Sequence, residues 1–429
     1  MKRACLEVTT NTYEPRFVGT SFPSQGPWGG IRLLKNNFVR MKKSIPFILL
    51  ACLFIPNIQS QTKLDIKLDS IFKTTGFVGL GISVYTHDSV LYQNAFGYAD
   101  KESKIKYTVN TIQPIASVSK TLIAVALMKA REIGKLQLDE DINKYLPFRI
   151  ENPYCPDKVI TIRHLATHTS GIKDTREYEK GYIFTEKIQP IYHQMPFGLR
   201  KLLVKKYVKL YLGNQEMGME EFLSSIYVKG GKWYKKSNFS KNNPGEKVQY
   251  SNCGATLAAM IVEKATGMDY RDFVKEYILT PLDMKSSCWS MLNQTHNIKS
   301  SLYLMQYKIP YYTIVTYPDG AFVTSISDFT KYMMAMLKGY RGNQSILGPA
   351  SCREMFAYQL KKEFKSGIFW EIKENSIGHN GSDPGVLTFA YFYKEKDLGF
   401  VIFTNTSEAK DYIQKINKMV KALKESFYK

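Results

Sequence analysis

Segments that read as strands stand near both ends of this chain, and helical segments fill the middle. Val78–Tyr85 is rich in β-branched and aromatic residues, His87-Asp88 makes a turn, and Val90–Phe96 reads as the returning strand. Strands come back late, at Gly367–Ile372, Ser376–His379, Thr388–Tyr393 and Leu398–Thr404, and a helix from about Glu408 finishes the chain. In between, the nearly continuous apolar run Val118–Ile133 predicts a helix buried on most sides and stopped by Gly134. Further helices are expected at Cys253–Ala265, closed by Gly267, and at Asp269–Ile278. Another, capped by Ser327 or Asp328, is expected to run to about Lys338 and end at Gly339. This order points to one sheet assembled from both ends of the chain, with a mainly helical lobe inserted, rather than to separate domains.

The composition is that of an ordinary globular protein, 44% apolar and 23% charged, which excludes wholesale disorder and a small disulfide scaffold. With 59 Lys+Arg against 38 Asp+Glu the formal charge is +21, which invites a nucleic-acid reading until one asks where the charge sits. Residues 1–40 have no hydrophobic period and read as an upstream extension that is not native to the protein. Met41-Lys42-Lys43, the apolar run Ile45–Ile58 and the small residue Ser60 then make residues 41–60 a secretory signal peptide, with Met41 the expected start. Lipid anchoring through Cys52 is the lesser alternative, and the run is too short and Pro-interrupted for a spanning helix. The expectation is an exported, periplasmic protein beginning near residue 61. Its balance is 51 basic against 36 acidic residues, because the first sixty carry eight of one and two of the other. Export argues against a nucleic-acid partner. Cys155, Cys253, Cys288 and Cys352 remain, without the CxxC spacing of a metal or redox pair, and read as buried thiols.

Nearly half of that excess lies in one basic insertion, residues 176–247, with fourteen Lys/Arg against seven Glu. Aromatics are interleaved, as in Lys205-Lys206-Tyr207-Val208-Lys209 and Lys232-Trp233-Tyr234-Lys235-Lys236. A surface for an anionic polymer or lipid headgroups is one reading, and membrane association through it is compatible with other functions. The favoured reading is a solvated insertion whose lysine stems cover apolar surface.

Chemistry is sparser. His164 and His168 lie four apart but lack the intervening Glu of a zinc helix and any third ligand, so they read as structural; no metal or cofactor is implied. A serine nucleophile without a catalytic His needs another base, and S-x-x-K puts an amine on the same helical face as the hydroxyl. The pattern occurs at Ser60, Ser70, Ser103, Ser117, Ser170, Ser407 and Ser426, as a Lys-rich chain will produce by accident. Only Ser117-Val118-Ser119-Lys120 opens a buried apolar helix, whose first N–H groups suit a developing oxyanion. Tyr250-Ser251-Asn252 precedes another helix, and its phenol is a candidate base beside an ammonium. The competing Tyr92-Gln93-Asn94 falls inside a predicted strand. Gly378-His379-Asn380-Gly381-Ser382 stands at a predicted strand end, where Gly381 permits a substrate backbone to come close.

The order Ser117-x-x-Lys120, Tyr250-x-Asn252, His379-x-Gly381 resembles the penicillin-recognising serine hydrolases, and within them the class C β-lactamase group with its esterases, D-aminopeptidases and D,D-peptidases. Gly134-Lys135-Leu136-Gln137-Leu138-Asp139, His164-Leu165-Ala166-Thr167-His168-Thr169-Ser170-Gly171, Pro244-Gly245-Glu246 and Asp319-Gly320-Ala321 are similar to the family's stretches, in order, over roughly residues 70–410. The resemblance implies an α/β fold: an antiparallel sheet built from both chain termini and flanked by helices, with an inserted mainly α-helical lobe. It implies Ser117 as nucleophile, Lys120 as the adjacent amine and Tyr250 as acid/base. Asn252 would contact Lys120 and substrate, His379 would form a wall, and backbone N–H groups of Ser117 and Ser382 would form an oxyanion hole. Whether Lys120 or Tyr250 is the acylation base stays open. No metal takes part.

One departure is informative. The β-lactamases of this group carry Lys-Thr-Gly where this chain has His379-Asn380-Gly381, and a histidine with an ordinary value of about 6.5 is mostly neutral at pH 7. The expected substrates are therefore small esters or D-amino-acid amides, with cell-wall peptides in view. The alternative is a D,D-peptidase or β-lactamase acting on a carboxylate-bearing substrate. A reading of another class is a non-catalytic cell-wall binding protein of the same fold, whose expected sign is loss of Ser117, Lys120 or Tyr250.

Overall fold

The computed structural model describes residues 55–186, 195–198, 214, 216–291, 294 and 297–428. The upstream extension, most of the signal segment, and the Lys205–Lys209 cluster lie outside the described residues, as do His193 and His296. The strands of the main sheet are β1 (Gly79–Tyr85), β2 (Val90–Asp100), β3 (Ile105–Lys106), β4 (Glu371–Ile372), β5 (Ser376–Asp383), β6 (Val386–Tyr393) and β7 (Gly399–Thr404). Their order is β4-β5-β6-β7-β1-β2-β3, all antiparallel. The two ends of the chain meet where β1 pairs with β7, from Leu80↔Thr404 to Tyr85↔Gly399. All seven residues of β1 are buried, because helices cover both faces of the sheet there.

The helices used below are α1 (Ile55–Lys73), α2 (Lys120–Glu132), α3 (Met219–Tyr227), α4 (Asn252–Thr266), α5 (Ile326–Tyr340), α6 (Pro349–Phe356) and α7 (Tyr412–Phe427). On one face Leu64 and Leu68 of α1 and Ile416, Met419 and Leu423 of α7 pack on Leu80, Ile82 and Ile402. On the other, Phe329 and Met333 of α5 meet Val401 and Phe403, and this core runs on into α2 and α4 of the helical lobe. Among the described residues no helix is long and apolar enough to cross a membrane.

Several local expectations need correction. The helix expected from Val118 begins as a 3-10 turn, Ala116–Ser119, and becomes α-helical only at Lys120. The cap of α5 is Ser325, whose hydroxyl accepts from the Asp328 N–H; neither Ser327 nor Asp328 caps it. Gly339 does not end α5 but lies inside it: a Cβ there would stand 2.4 Å from the Cys352 Sγ of α6, so the glycine serves close helix packing. The helix expected over Asp269–Ile278 is α-helical only at Tyr270–Val274 and continues as a π-turn, Lys275–Leu279. Of the strand expected over Gly367–Ile372 only Glu371–Ile372 pairs, because Lys365 and Phe369 adopt positive φ and bend the approach. The final helix starts at Tyr412 rather than Glu408, after left-handed residues at Glu408 and Asp411. α1 had no counterpart in the sequence reading.

The insertion is not merely a solvated flap. Tyr178, Tyr182, Phe222, Leu223, Ile226, Tyr227 and Phe239 are all buried in the main core, while Lys229, Lys232, Lys235 and Lys236 are exposed. Cys155, Cys253, Cys288 and Cys352 are free thiols, Cys253 and Cys352 buried and the other two only partly so.

Candidate active site

Ser117 is the one residue from Thr111 to Met128 that is not buried. Its turn is held from two sides. Ile115 N–H donates to the Phe322 carbonyl at 2.9 Å, Thr388 Oγ1 donates to the Ile115 carbonyl at 2.8 Å, and Ser119 Oγ donates back to the Ala116 carbonyl at 2.6 Å. Ala116 sits at φ 49°, a left-handed conformation that an alanine keeps only when its surroundings over-determine it. The result is a hydroxyl standing out of an otherwise buried segment.

Lys120, one helical turn on, is fully buried and donates to three acceptors: Ser117 Oγ at 3.1 Å, Asn252 Oδ1 at 2.7 Å and the Asp319 carbonyl at 2.7 Å. Those are all the protons an ammonium has. Burial works against its charge, but Tyr250, Asp319 and Asp174 outweigh burial and hold the ammonium above the usual lysine range. The Asp319 carboxyl is buried too, and burial pushes it up while Lys120 opposes that rise. It accepts from Tyr178 Oη and Thr256 Oγ1, both at 3.0 Å.

Tyr250 and Asn252 arrive together at the start of α4. Asp174 accepts from Ser251 Oγ and from the N–H groups of Asn252 and Cys253, at 3.0, 2.7 and 3.0 Å, where a carboxylate is favoured by unsatisfied donors and the helix dipole. His168 fixes the other side: its carbonyl accepts from Gln249 N–H at 2.6 Å and its Nδ1 from Ser251 N–H at 3.2 Å. The imidazole lies against the Tyr250 ring, centroids 4.3 Å apart. Burial, with Lys120 and His379 nearby, holds His168 well below the ordinary histidine range, so it is neutral. The Tyr250 ring centroid is 5.1 Å from Lys120 Nζ and 6.4 Å from the His379 ring.

His379 and Gly381 are not at a strand end. They lie inside β5, paired with Ala390 and Thr388 of β6. Gly381 is a close-approach residue, but what approaches is the Ser117 turn: a Cβ there would be 2.6 Å from the Ile115 carbonyl oxygen and 2.9 Å from Ser117 N. That contact places Ser382, exposed and next in the strand, beside Ser117. His379 Nδ1 hydrogen-bonds the Asn380 carbonyl at 2.6 Å, which makes Nδ1 the protonated nitrogen. Burial first, then Lys120, lower its pKa to about 4.

The seven residues singled out in the sequence thus converge on one place. Sequence reasoning gave no role to Asp174, and it treated His168 as structural and Asp319 only as part of a matching stretch. The Pro-Asp-Gly turn at Pro318-Asp319-Gly320 was the available signal for Asp319; Asp174 had none, since bonds from two backbone N–H groups and one hydroxyl leave no spacing to read. His164 is structural, its Nδ1 accepting from the Thr161 N–H at 3.1 Å. Tyr92 of the rejected Tyr-x-Asn donates to Asp65 at 2.6 Å. A cavity of about 400 Å3 opens beside Tyr250 and His379, walled also by His168, Phe364 and Phe369. Among the described residues no cluster of His, Cys, Asp and Glu could hold a metal ion.

Comparisons with known proteins bear on the family and the fold. A family model described as Beta-lactamase matches residues 64–423. Penicillin-binding protein 4* of Bacillus subtilis is 25% identical over 382 residues, covering 82% of this chain and 74% of that protein. The mitochondrial serine beta-lactamase-like protein LACTB of Homo sapiens is 28% identical over 311 residues, 64% of this chain but only 56% of its own length. Among solved structures, D-amino acid amidase from Ochrobactrum anthropi superposes with TM-score 0.62 at 19% identity, covering 85% of this chain and 99% of that one. The octameric penicillin-binding protein homologue from Pyrococcus abyssi gives 0.60 at 22%, covering 84% and 76%. Because the family match spans all seven strands of the main sheet and the whole helical lobe between them, the chain belongs to the Beta-lactamase family, a family of serine hydrolases.

Proposed function

We propose that the protein hydrolyses ester or D-amino-acid amide bonds through an acyl-enzyme on Ser117. The observation that carries this reading is the saturated Lys120 ammonium beside Ser117, with a neutral His379 where β-lactamases of the group keep a cation. Ser117 Oγ attacks the carbonyl carbon while its proton leaves for a base. Lys120 has no lone pair to offer in this arrangement, which favours Tyr250, whose ring centroid is 5.1 Å from Lys120 Nζ, as that base. Backbone N–H groups of Ser117 and Ser382 receive the oxyanion. Collapse breaks the bond to the leaving alcohol or amine, which takes the proton from Tyr250. Water then attacks the acyl-serine with Tyr250 again as base, the C–Oγ bond breaks, and Ser117 Oγ takes that proton back as the acid leaves.

A neutral His379 gives no point charge to a substrate carboxylate, so β-lactams and C-terminal D,D-peptides are the weaker substrates. Export to the periplasm is part of the same proposal and rests on residues 41–60. The test is to label residues 61–429 with a fluorophosphonate and with a fluorescent penicillin, then compare p-nitrophenyl esters, D-alanine p-nitroanilide and nitrocefin. Labelling by the fluorophosphonate at Ser117 is expected, with Ser117→Ala folded but slower by at least about 10^3-fold. No label at Ser117 from either probe sinks the hydrolase reading, and fast nitrocefin turnover overturns the substrate preference.

A further inference from the structure

The nucleophile is flanked along β5 by two residues of different character. Side chains alternate along a strand, so His379, Gly381 and Asp383 share one face. Gly381 fixes which face that is, because its missing Cβ points at Ser117 N. Tyr250 stands at the His379 end. The group that returns a proton to the leaving atom must face the leaving group, so the His379 end is the leaving-group side. Asp383, two residues beyond Gly381, is then on the side of the acyl group that stays on Ser117.

The Asp383 carboxylate is close to the reacting centre. The point where a Cβ of Gly320 would stand is 3.2 Å from Asp383 Oδ2 and 3.9 Å from the Ala116 carbonyl carbon, so these two lie within about 7 Å of each other. Oδ1 is anchored by Tyr182 Oη at 2.6 Å. Among the described residues Oδ2 has no hydrogen-bond partner and no basic side chain pairs with the carboxylate. A partly buried acid with no ion-pair partner among the described residues is an unusual thing to hold beside a nucleophile. Burial, Asp319 and Glu179 push the carboxyl up to about 7, against the Tyr182 hydrogen bond and Lys120.

We propose that Asp383 is the specificity residue for an ammonium group on the acyl part of the substrate, so that the preferred substrates are aminoacyl amides or esters with a free amine. The inference rests on Ser117 as the nucleophile and names the substrate class at that site.

The test compares D-alanine p-nitroanilide with its N-acetyl derivative, which differs in the amine alone. The wild-type enzyme is expected to favour the free amine in kcat/KM by at least about tenfold, and Asp383→Asn to shrink that ratio by about 10–100-fold, the range of one charge-assisted hydrogen bond. Asp383→Glu should restore part of the ratio. A wild-type ratio near one, turnover of neither anilide by an enzyme that does hydrolyse p-nitrophenyl acetate, or an Asn variant that lowers both anilides equally overturns the inference. Fluorophosphonate labelling of Ser117, run on the same preparations, separates the two failures: its loss in the wild type removes the nucleophile reading and this one together, whereas labelling with an unchanged ratio removes this one alone.

Discussion

Two regions of this molecule hold lysine in opposite ways. Under Ser117 a single lysine is fully buried, with each proton given to a fixed acceptor and with Asp174 and Asp319 supporting its charge. On the insertion, Lys229, Lys232, Lys235 and Lys236 stand in solvent, and the Lys235–Glu177 pair has a lysine side chain 62% exposed. The first lysine cannot move without stranding its acceptors. The difference shows why a net charge of +21 says nothing about the site: there Asp319 and Asp174 support one buried cation, in a strongly basic chain.

The contrast is sharpest at Lys120 itself. Lys120→Met should lower turnover by on the order of 10^3-fold and leave Asn252 Oδ1 and the Asp319 carbonyl without their donor; residual activity within tenfold of wild type would show that the buried charge is dispensable. Next comes the apolar underside of the insertion. Phe222→Ala should destabilise by about 3–5 kcal/mol, measured by urea unfolding, if this segment belongs to the core as its burial indicates.

A smaller effect is expected from acid. His379 and His168 both have folded-state pKa values below the ordinary 6.5, His379 at about 4, so the unfolded chain binds more protons between those values. Stability from these two residues is therefore complete above about pH 6.5 and is lost as pH falls toward 4. His379→Gln should flatten the slope of the urea midpoint between pH 7 and pH 5; an unchanged slope would mean that His379 is not held neutral. The smallest effect belongs to the exposed lysines. Changing Lys229, Lys232, Lys235 and Lys236 together to Gln should shift stability by no more than about 0.5 kcal/mol in total, and a larger loss would mean that they are structural after all.

What could be read in advance follows the same division. Ser117, Lys120, Tyr250, Asn252, His379 and Gly381 were legible because each belongs to a short spacing set by a helix start or a strand. Asp174 and His168 were not, since they act by accepting from the backbone around Tyr250, and such bonds leave no trace in residue spacing. The two-ended sheet was legible from its apolar β-branched runs. The extent of β5 was not: Asn380, Gly381, Ser382 and Asp383 have low strand propensity, and pairing with β6 overrides it. Gly339 misled because helix termination and close helix packing ask for the same residue.

The pairing of β1 with β7 also has a consequence in time. β1 leaves the ribosome early, and its partner is made only after the whole helical lobe and β4 to β6 have followed. Until then one edge of the central strand is open, and the turn bearing Ser117 lacks Thr388, which grips the Ile115 carbonyl from β6. Ser117 is thus synthesised long before the late strands that grip its turn. The growing chain carries this serine well before the surroundings of the proposed site can assemble.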